Sequence, residues 1–199
     1  MKIVLASNNK GKIAEFKKLL IDDEIIAFGD ILGKFEVEED QDSFKGNAIK
    51  KAQTIYLELE KKGLKDIIVI SDDSGISVPA LNNAPGIYSA RYAGLNASDK
   101  DNNLKLISEL NRLGLVKTAA FYTACIAIVY KNEVYSVHGF MYGDVLNKEL
   151  GKNGFGYDPM FVPKGFTNTL GELDFEIKQE FSHRNRALKL AKKVLDVIL

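Results

Sequence analysis

Asp72 and Asp73 stand side by side at the end of Ile67-Ile68-Val69-Ile70, inside the stretch Ser71-Asp72-Asp73-Ser74-Gly75. Four consecutive β-branched residues without a charge predict a strand buried on both faces, and the end of the run at Ser71 places both carboxylates at its carboxyl edge. Open α/β sheets bind ligands at that edge, and adjacent acids there repel each other unless a cation lies between them. Oxygen donors of this kind suit magnesium. Side chains alternate along a strand, so the two acids point to opposite faces unless the chain bends at Ser74-Gly75. One is therefore expected to do the chemistry and the other to support it. A solvated Asp-Ser-Gly turn would read the same way in isolation, so the other polar clusters decide.

The first of these is Ser7-Asn8-Asn9-Lys10-Gly11-Lys12, set between an apolar Ile3 to Ser7 and the helical spacing of Ile13, Phe16, Leu19 and Leu20. A strand, a polar glycine-containing loop and a helix start aim backbone N–H groups and a positive helix end at an anion. The P-loop spacing is missing, and a capped helix start with two solvated lysines fits the same residues. Next comes Glu36 to Asp42, with Glu36, Glu38, Glu39, Asp40 and Asp42. It reads as a solvated loop, or as the source of a second metal carboxylate from Glu38 or Glu39. The helix opening at N-cap Ser43 carries Asn47, Lys50 and Lys51 on its polar side, where they face a phosphate or simply coat the exposed face.

Gly151-Lys152-Asn153-Gly154-Phe155-Gly156-Tyr157-Asp158-Pro159 packs three glycines between residues 151 and 156 and two aromatics into one loop. Glycines allow close backbone approach to a ligand, and aromatic faces let a base stack. Ser182-His183-Arg184 opens a last helix at its amino end, where cations oppose the dipole unless an anion or ring carbonyl sits there. Arg91, between Tyr88 and Tyr92, fits a phosphate grip, a ring stack or packing equally. His138 has no ligand partner at metal spacing and reads as structural.

The elements that must hold these groups follow from periodicity. Strands are expected at Ile3 to Ser7, Ile25 to Phe28 and Ile67 onward, with Gly29 to Lys34 as a turn. Thr118 to Tyr130 and Val134 to Tyr142 form a long hairpin through Lys131-Asn132. Helices are expected after Lys12, from Ser43 with Phe44, Ala48, Ala52, Ile55, Tyr56 and Leu59 inward, from Ser98 with Leu104, Ile107 and Leu110 inward, and from Ser182 with Leu188, Ala191, Leu195 and Ile198 inward. Lysine plus arginine and aspartate plus glutamate both number 27, so no global field favours a nucleic-acid polymer or an anionic membrane. Cys125, the lone cysteine, lies in an apolar run and reads as packing. Neither a signal peptide nor a membrane-length apolar run is present, and a cytoplasmic protein is expected.

Ser7-Asn8-Asn9-x-x-Lys12, Asn47-Ala48-x-x-Lys51-Ala52, Ser71 to Gly75, Ala84-Pro85-Gly86-Ile87-Tyr88-Ser89-Ala90-Arg91-Tyr92, Phe155 to Pro159 and Ser182-His183-Arg184 together resemble, in order, the inosine triphosphate pyrophosphatases. These HAM1-like enzymes hydrolyse noncanonical purine nucleoside triphosphates. The resemblance implies a single α/β domain over residues 1–199, with an elongated mixed central β-sheet flanked by helices and two lobes around a deep active-site cleft. It implies a homodimer, and magnesium-dependent cleavage of the α–β phosphate bond of ITP, dITP and XTP to a monophosphate and pyrophosphate. By position, Asp73 matches the proton acceptor and metal ligand, Glu38 or Glu39 the second acidic ligand, and Ser74 a substrate contact. Ser7, Asn8, Asn9, Lys10, Gly11, Lys12 and Lys51 match the phosphate site. Phe155, Gly156, Tyr157, Asp158, Lys178, His183 and Arg184 match the base pocket. Lys152-Asn153 departs from the glycine common before Gly154 in that family. The alternatives are a Maf-like pyrophosphatase, marked by preference for UTP or dTTP over ITP, and a nucleotide sensor without turnover.

Overall fold

The uncharged run at Ile67 forms an interior strand, but that strand does not end at Ser71. The computed structural model describes residues 2–7, 9–19 and 24–199, apart from the side chains of Lys10, Glu15, Lys18 and Leu19. In it β3 spans Ile67–Ser77, so Asp72 and Asp73 lie within the strand rather than at its carboxyl edge. The polar residues stay in the sheet because each has a partner. The Ser71 hydroxyl donates to the Ala48 carbonyl at 2.5 Å, and Asp72 and Asp73 are bonded by Lys12 and Asn47. Change of composition marked the arrival of chemistry, not the end of the strand.

β1 (Lys2–Leu5) lies parallel to both β2 (Glu24–Ala27) and β3, and β5 (Glu133–Leu146) runs antiparallel to β6 (Phe161–Pro163). With β4 (Lys117–Tyr130) they form one mixed six-stranded sheet in the order β2-β1-β3-β4-β5-β6. The expected hairpin is β4–β5. Its turn residues Lys131 and Asn132 have φ of 50° and 65°, the left-handed pair that a two-residue connection needs. The expected turn at Gly29 is instead the short helix α2 (Gly29–Leu32).

The residues gather into two compact units. The first holds Met1–Asp73, Ala124–Gly139 and Arg186–Leu199. Alternation along its strands sends Ile3, Leu5, Ile68, Ile70 and Ile126 to a core with Phe16 of α1 (Lys10–Leu19) and Leu188, Ala191 and Leu195 of α6 (His183–Ile198). It sends Val4, Val69, Cys125 and Ala127 to another core with Ala48, Ala52, Ile55 and Leu59 of α3 (Phe44–Lys61). The stripes of α3 and α6 are those expected, Ser43 caps α3 through Gly46 N–H, and on α1 Ile13 and Phe16 face inward while the side chain of Leu19 and all of Leu20 lie outside the described residues. Burial pushes the Cys125 thiol up to about 12, in keeping with packing.

The second unit holds Ser74–Thr123 and Phe140–Asn185. Its core joins Leu106 and Leu110 of α4 (Asp99–Arg112) to Ile76, Val78, Tyr122, Met141, Tyr157 and Phe161. Of the expected inward stripe on α4, Leu110 is buried and Ile107 packs against this core, whereas Leu104 is half exposed and Leu106, two positions on, carries the contact. The helix α5 (Phe175–Phe181), the strand β6 and a 3-10 turn at Gly86–Arg91 complete the unit. Among the described residues, no helix is long and apolar enough to cross a membrane.

Candidate active site

In the first unit the alternation of β3 separates the two acids. Lys12 Nζ reaches Asp72 Oδ2 at 2.7 Å and the Asp72 carbonyl at 3.3 Å, bringing the helix α1 lysine onto the strand. Asp73 accepts from Asn47 Nδ2 at 3.1 Å, and Asn47 Oδ1 in turn accepts from Gln41 N–H at 3.0 Å. Asp73 is pushed up to about 6. Burial is the main cause and the nearby charge of Glu39 adds to it, while Lys12, Lys51 and the Asn47 amide pull the other way. Lys51 is ion-paired with Glu39.

The structure places several of the expected site residues as follows. Glu39 is the acid whose charge reaches Asp73, whereas Glu38 is exposed. Lys50 turns to the surface and pairs with Asp40 at 2.7 Å, so it coats the exposed face. Asn9 serves the helix start: its side chain accepts from Lys12 N–H at 3.1 Å, its carbonyl accepts from Ile13 N–H, and its own N–H is held by Ser7 Oγ. Gly11 is exposed on the first turn of α1. Asn8 lies outside the described residues, as does the side chain of Lys10. Asn47, expected to face a phosphate or solvent, is instead buried against Asp73, and its position one turn before Lys51 and its poor helix propensity are the sequence signals for that role.

In the second unit the loop after β5 forms a ring flanked by cations. Lys178, on α5, is ion-paired with Asp158, and its Nζ sits 4.8 Å from the centre of the Phe155 ring. Arg184 lies 5.6 Å from the same ring and donates through Nη2 to Ser74 Oγ at 2.9 Å. Phe155 keeps 39% of its surface exposed. Its N–H donates to Asp158 Oδ2 at 2.9 Å. Gly154 has φ of +80°, and a Cβ there would run into the Asp158 carboxylate, so glycine is required for this closure.

His183 is stacked on Tyr122 with ring centres 4.7 Å apart and planes 13° from parallel. Tyr122 meets Phe161 edge-on at 4.9 Å. Tyr157 is core: it is buried, donates its hydroxyl to the Ser89 carbonyl at 2.8 Å, and burial raises its phenol well above the usual range. Arg91 lies 5.3 Å over the Tyr88 ring. His138 is half-buried, its basicity lowered by burial and by Lys45.

No group of three or more His, Cys, Asp or Glu side chains forms a metal cage among the described residues. Glu39 and Asp73 are a fit for magnesium all the same. That ion is commonly held by one or two carboxylates together with substrate phosphates, and a cation there would offset the Glu39 charge that, after burial, raises Asp73.

The sequence profile of the Ham1 family matches residues 3–194. A dITP/XTP pyrophosphatase of Aliarcobacter butzleri is 75% identical over 199 residues, covering 100% of both chains. One of Sulfurovum is 53% identical, covering 100% of this chain and 95% of the other. Among solved structures, the Ham1 protein of Staphylococcus aureus superposes with a TM-score of 0.87 at 37% identity over 100% of both chains. A nucleoside-triphosphatase/dITP/XTP pyrophosphatase of Mycobacterium abscessus does so with a TM-score of 0.75 at 36% identity, over 96% of this chain and 98% of the other.

Proposed function

The chain belongs to the Ham1 family, and we propose that it hydrolyses noncanonical purine nucleoside triphosphates, dITP and XTP among them, to the monophosphate and pyrophosphate. The observation that carries the mechanism is Asp73, buried in mid-strand with its carboxyl pushed up to about 6. Without metal, a carboxyl with that pKa is mainly ionised near pH 7.5, and its buried carboxylate is placed either to hold a cation or to take a proton in the transition state. Asp73 accepts the proton of the attacking water as its oxygen bonds to the α-phosphorus. The bond from that phosphorus to the bridging oxygen breaks, and the electron pair leaves on pyrophosphate. Asn47 fixes the carboxylate's orientation. Lys12 and Lys51 are each paired with one acid, and an ammonium has donors to spare for phosphate oxygens. Magnesium bound at Glu39 and Asp73 would supply positive charge for the developing oxyanions.

The second-unit group takes the base. Phe155 offers its ring, and His183 and Arg184 supply donors to a purine carbonyl. Adenine presents an amine there instead, and a mismatch of this kind can reject an analogue by about 10⁴-fold. A homodimer acting in the cytoplasm completes the proposal, with light scattering on the purified protein as the check on the dimer.

The test is a panel of XTP, dITP, GTP, ATP, UTP and dTTP with Asp73→Asn beside the wild type, with and without magnesium. XTP and dITP are expected to lead, and Asp73→Asn is expected to lower kcat by about 10²–10⁴-fold while nucleotide still binds. A UTP or dTTP preference would indicate a Maf-like activity, and an unchanged Asp73→Asn rate would remove Asp73 from the mechanism.

A further inference from the structure

The amino end of α4 carries polar side chains that its own capping does not use. Ser98 is the N-cap, and the box is closed by Asp101: Asp101 N–H donates to Ser98 Oγ at 3.2 Å, and Ser98 N–H donates to Asp101 Oδ2 at 2.9 Å. Asp99 instead reaches a residue 57 positions away, accepting from Gly156 N–H on Oδ2 at 2.7 Å. Asn103, one turn later on the same face, donates through Nδ2 to the Gly156 carbonyl at 3.1 Å and to Glu149 Oε1 at 2.6 Å. Two acceptors on one nitrogen also fix which way the Asn103 amide faces.

The peptide groups on both sides of Gly156 are thus fastened to one helix. Gly156 has φ of +60°, so neither peptide is held by regular structure, and the two side chains of α4 supply what a ladder would. Phe155 and Tyr157 flank the fastened residue. Asparagine is a poor helix former, and a helix that buries Asn103 to 2% exposure needs such a partner to offset the cost. Asn102 does the same for the preceding loop, accepting from Ala93 N–H at 2.8 Å and donating to the Ala90 carbonyl at 3.2 Å.

We infer that Asp99 and Asn103 are positioning residues for the base-binding loop, setting where the Phe155 ring stands and hence how tightly and how selectively the purine is held. The inference rests on the reading that Phe155 meets the base. The clamp's hydrogen bonds go to Gly156 and Glu149, so its loss is expected to fall on binding and discrimination, not on turnover.

Steady-state kinetics with XTP and GTP, together with melting temperatures, test it on the full-length protein carrying Asp99→Ala, Asp99→Asn, Asn103→Leu or Phe155→Ala. Asp99→Ala and Asn103→Leu are expected to raise KM for XTP about tenfold, the effect of roughly one hydrogen bond. The XTP-to-GTP ratio of kcat/KM should fall, with kcat within about twofold of wild type. Asp99→Asn keeps an acceptor oxygen and should restore KM and the ratio. Asp99 is exposed, so Asp99→Ala carries the test even if Asn103→Leu does not fold. A lowered melting temperature with KM and selectivity unchanged, or a loss confined to kcat, would reduce the clamp to a structural contact and overturn the inference. If Phe155→Ala leaves KM and preference untouched, the base-site reading itself fails and the inference falls with it. If Phe155→Ala shifts them and Asp99→Ala does not, only the clamp is wrong.

Discussion

Asp158 and Lys178, on a loop and a helix of the second unit, form an ion pair in which the side chains are only 5% and 7% exposed. The same Asp158 oxygen accepts the Phe155 N–H, so one carboxylate ties the cation, the loop and the ring together. Removing one member of a buried pair leaves the other charge without its counter-ion. Asp158→Asn or Lys178→Met alone is expected to cost about 3 kcal/mol, while Asp158→Asn with Lys178→Met together should cost less than the sum. Urea denaturation of the four proteins in the cycle gives the coupling, and strictly additive losses would contradict it.

The pH dependence of stability follows from Asp73. Its folded pKa, about 6, is raised above the 3.8 of an ordinary aspartate, so the folded state binds the proton more tightly than the unfolded chain. Stability is therefore lost as pH rises from about 4 through 6, and the penalty is fully present above that window. At pH 7.5 without divalent metal, Asp73→Asn is expected to be more stable than wild type by on the order of 2–3 kcal/mol, with the gain gone below pH 4. Thermal melts in chelator across pH 4–8 check this, and an equal gain at both ends would show that ionisation is not the cause.

Lys12 and Asp72 separate stability from activity. The Asp72 side chain has no solvent exposure, so Lys12→Met removes a counter-ion from a buried carboxylate and should lower stability by about 3 kcal/mol, along with kcat/KM for XTP. Adding Asp72→Asn should recover most of the stability but not the activity, because the phosphate-facing charge is still missing. Melting temperature and kcat/KM measured on both variants distinguish the two effects. Recovery of both would make the lysine purely structural.

What was legible in the sequence divides along physical lines. The interior strand, the long hairpin and the inward stripes of α3 and α6 were readable because burial imposes a period on apolar residues. The end of β3 lies beyond Ser71 because a buried strand can carry Ser71, Asp72 and Asp73 once a backbone carbonyl and two side chains 23 to 60 residues away satisfy them, and those partners are set by tertiary contact. Tyr157 has the composition of a base platform but a hydroxyl committed to Ser89, and Asn47 gains its partner only when α3 lies on β3. On α4 the buried leucine is Leu106 rather than Leu104, two positions earlier, because the neighbouring inward positions Asn102 and Asn103 are asparagines. Periodicity alone cannot rank those as buried.

The stack of His183 on Tyr122 makes a last demand on selectivity. A ring fixed at 4.7 Å and nearly parallel limits how far the imidazole can turn, and so where its N–H groups can aim. Tyr122→Phe retains the stack and is expected to leave the ratio of XTP to ATP hydrolysis within about twofold, whereas Tyr122→Leu removes an interaction worth about 1 kcal/mol and should lower that ratio about fivefold. Tyr122→Leu also shrinks a side chain packed edge-on against Phe161, so it should cost about 2 kcal/mol of stability, and activity must be compared well below its melting temperature. An unchanged XTP-to-ATP ratio in a folded Tyr122→Leu protein would mean that His183 is oriented from elsewhere. A loss equally large in Tyr122→Phe would shift the role from the ring to the hydroxyl.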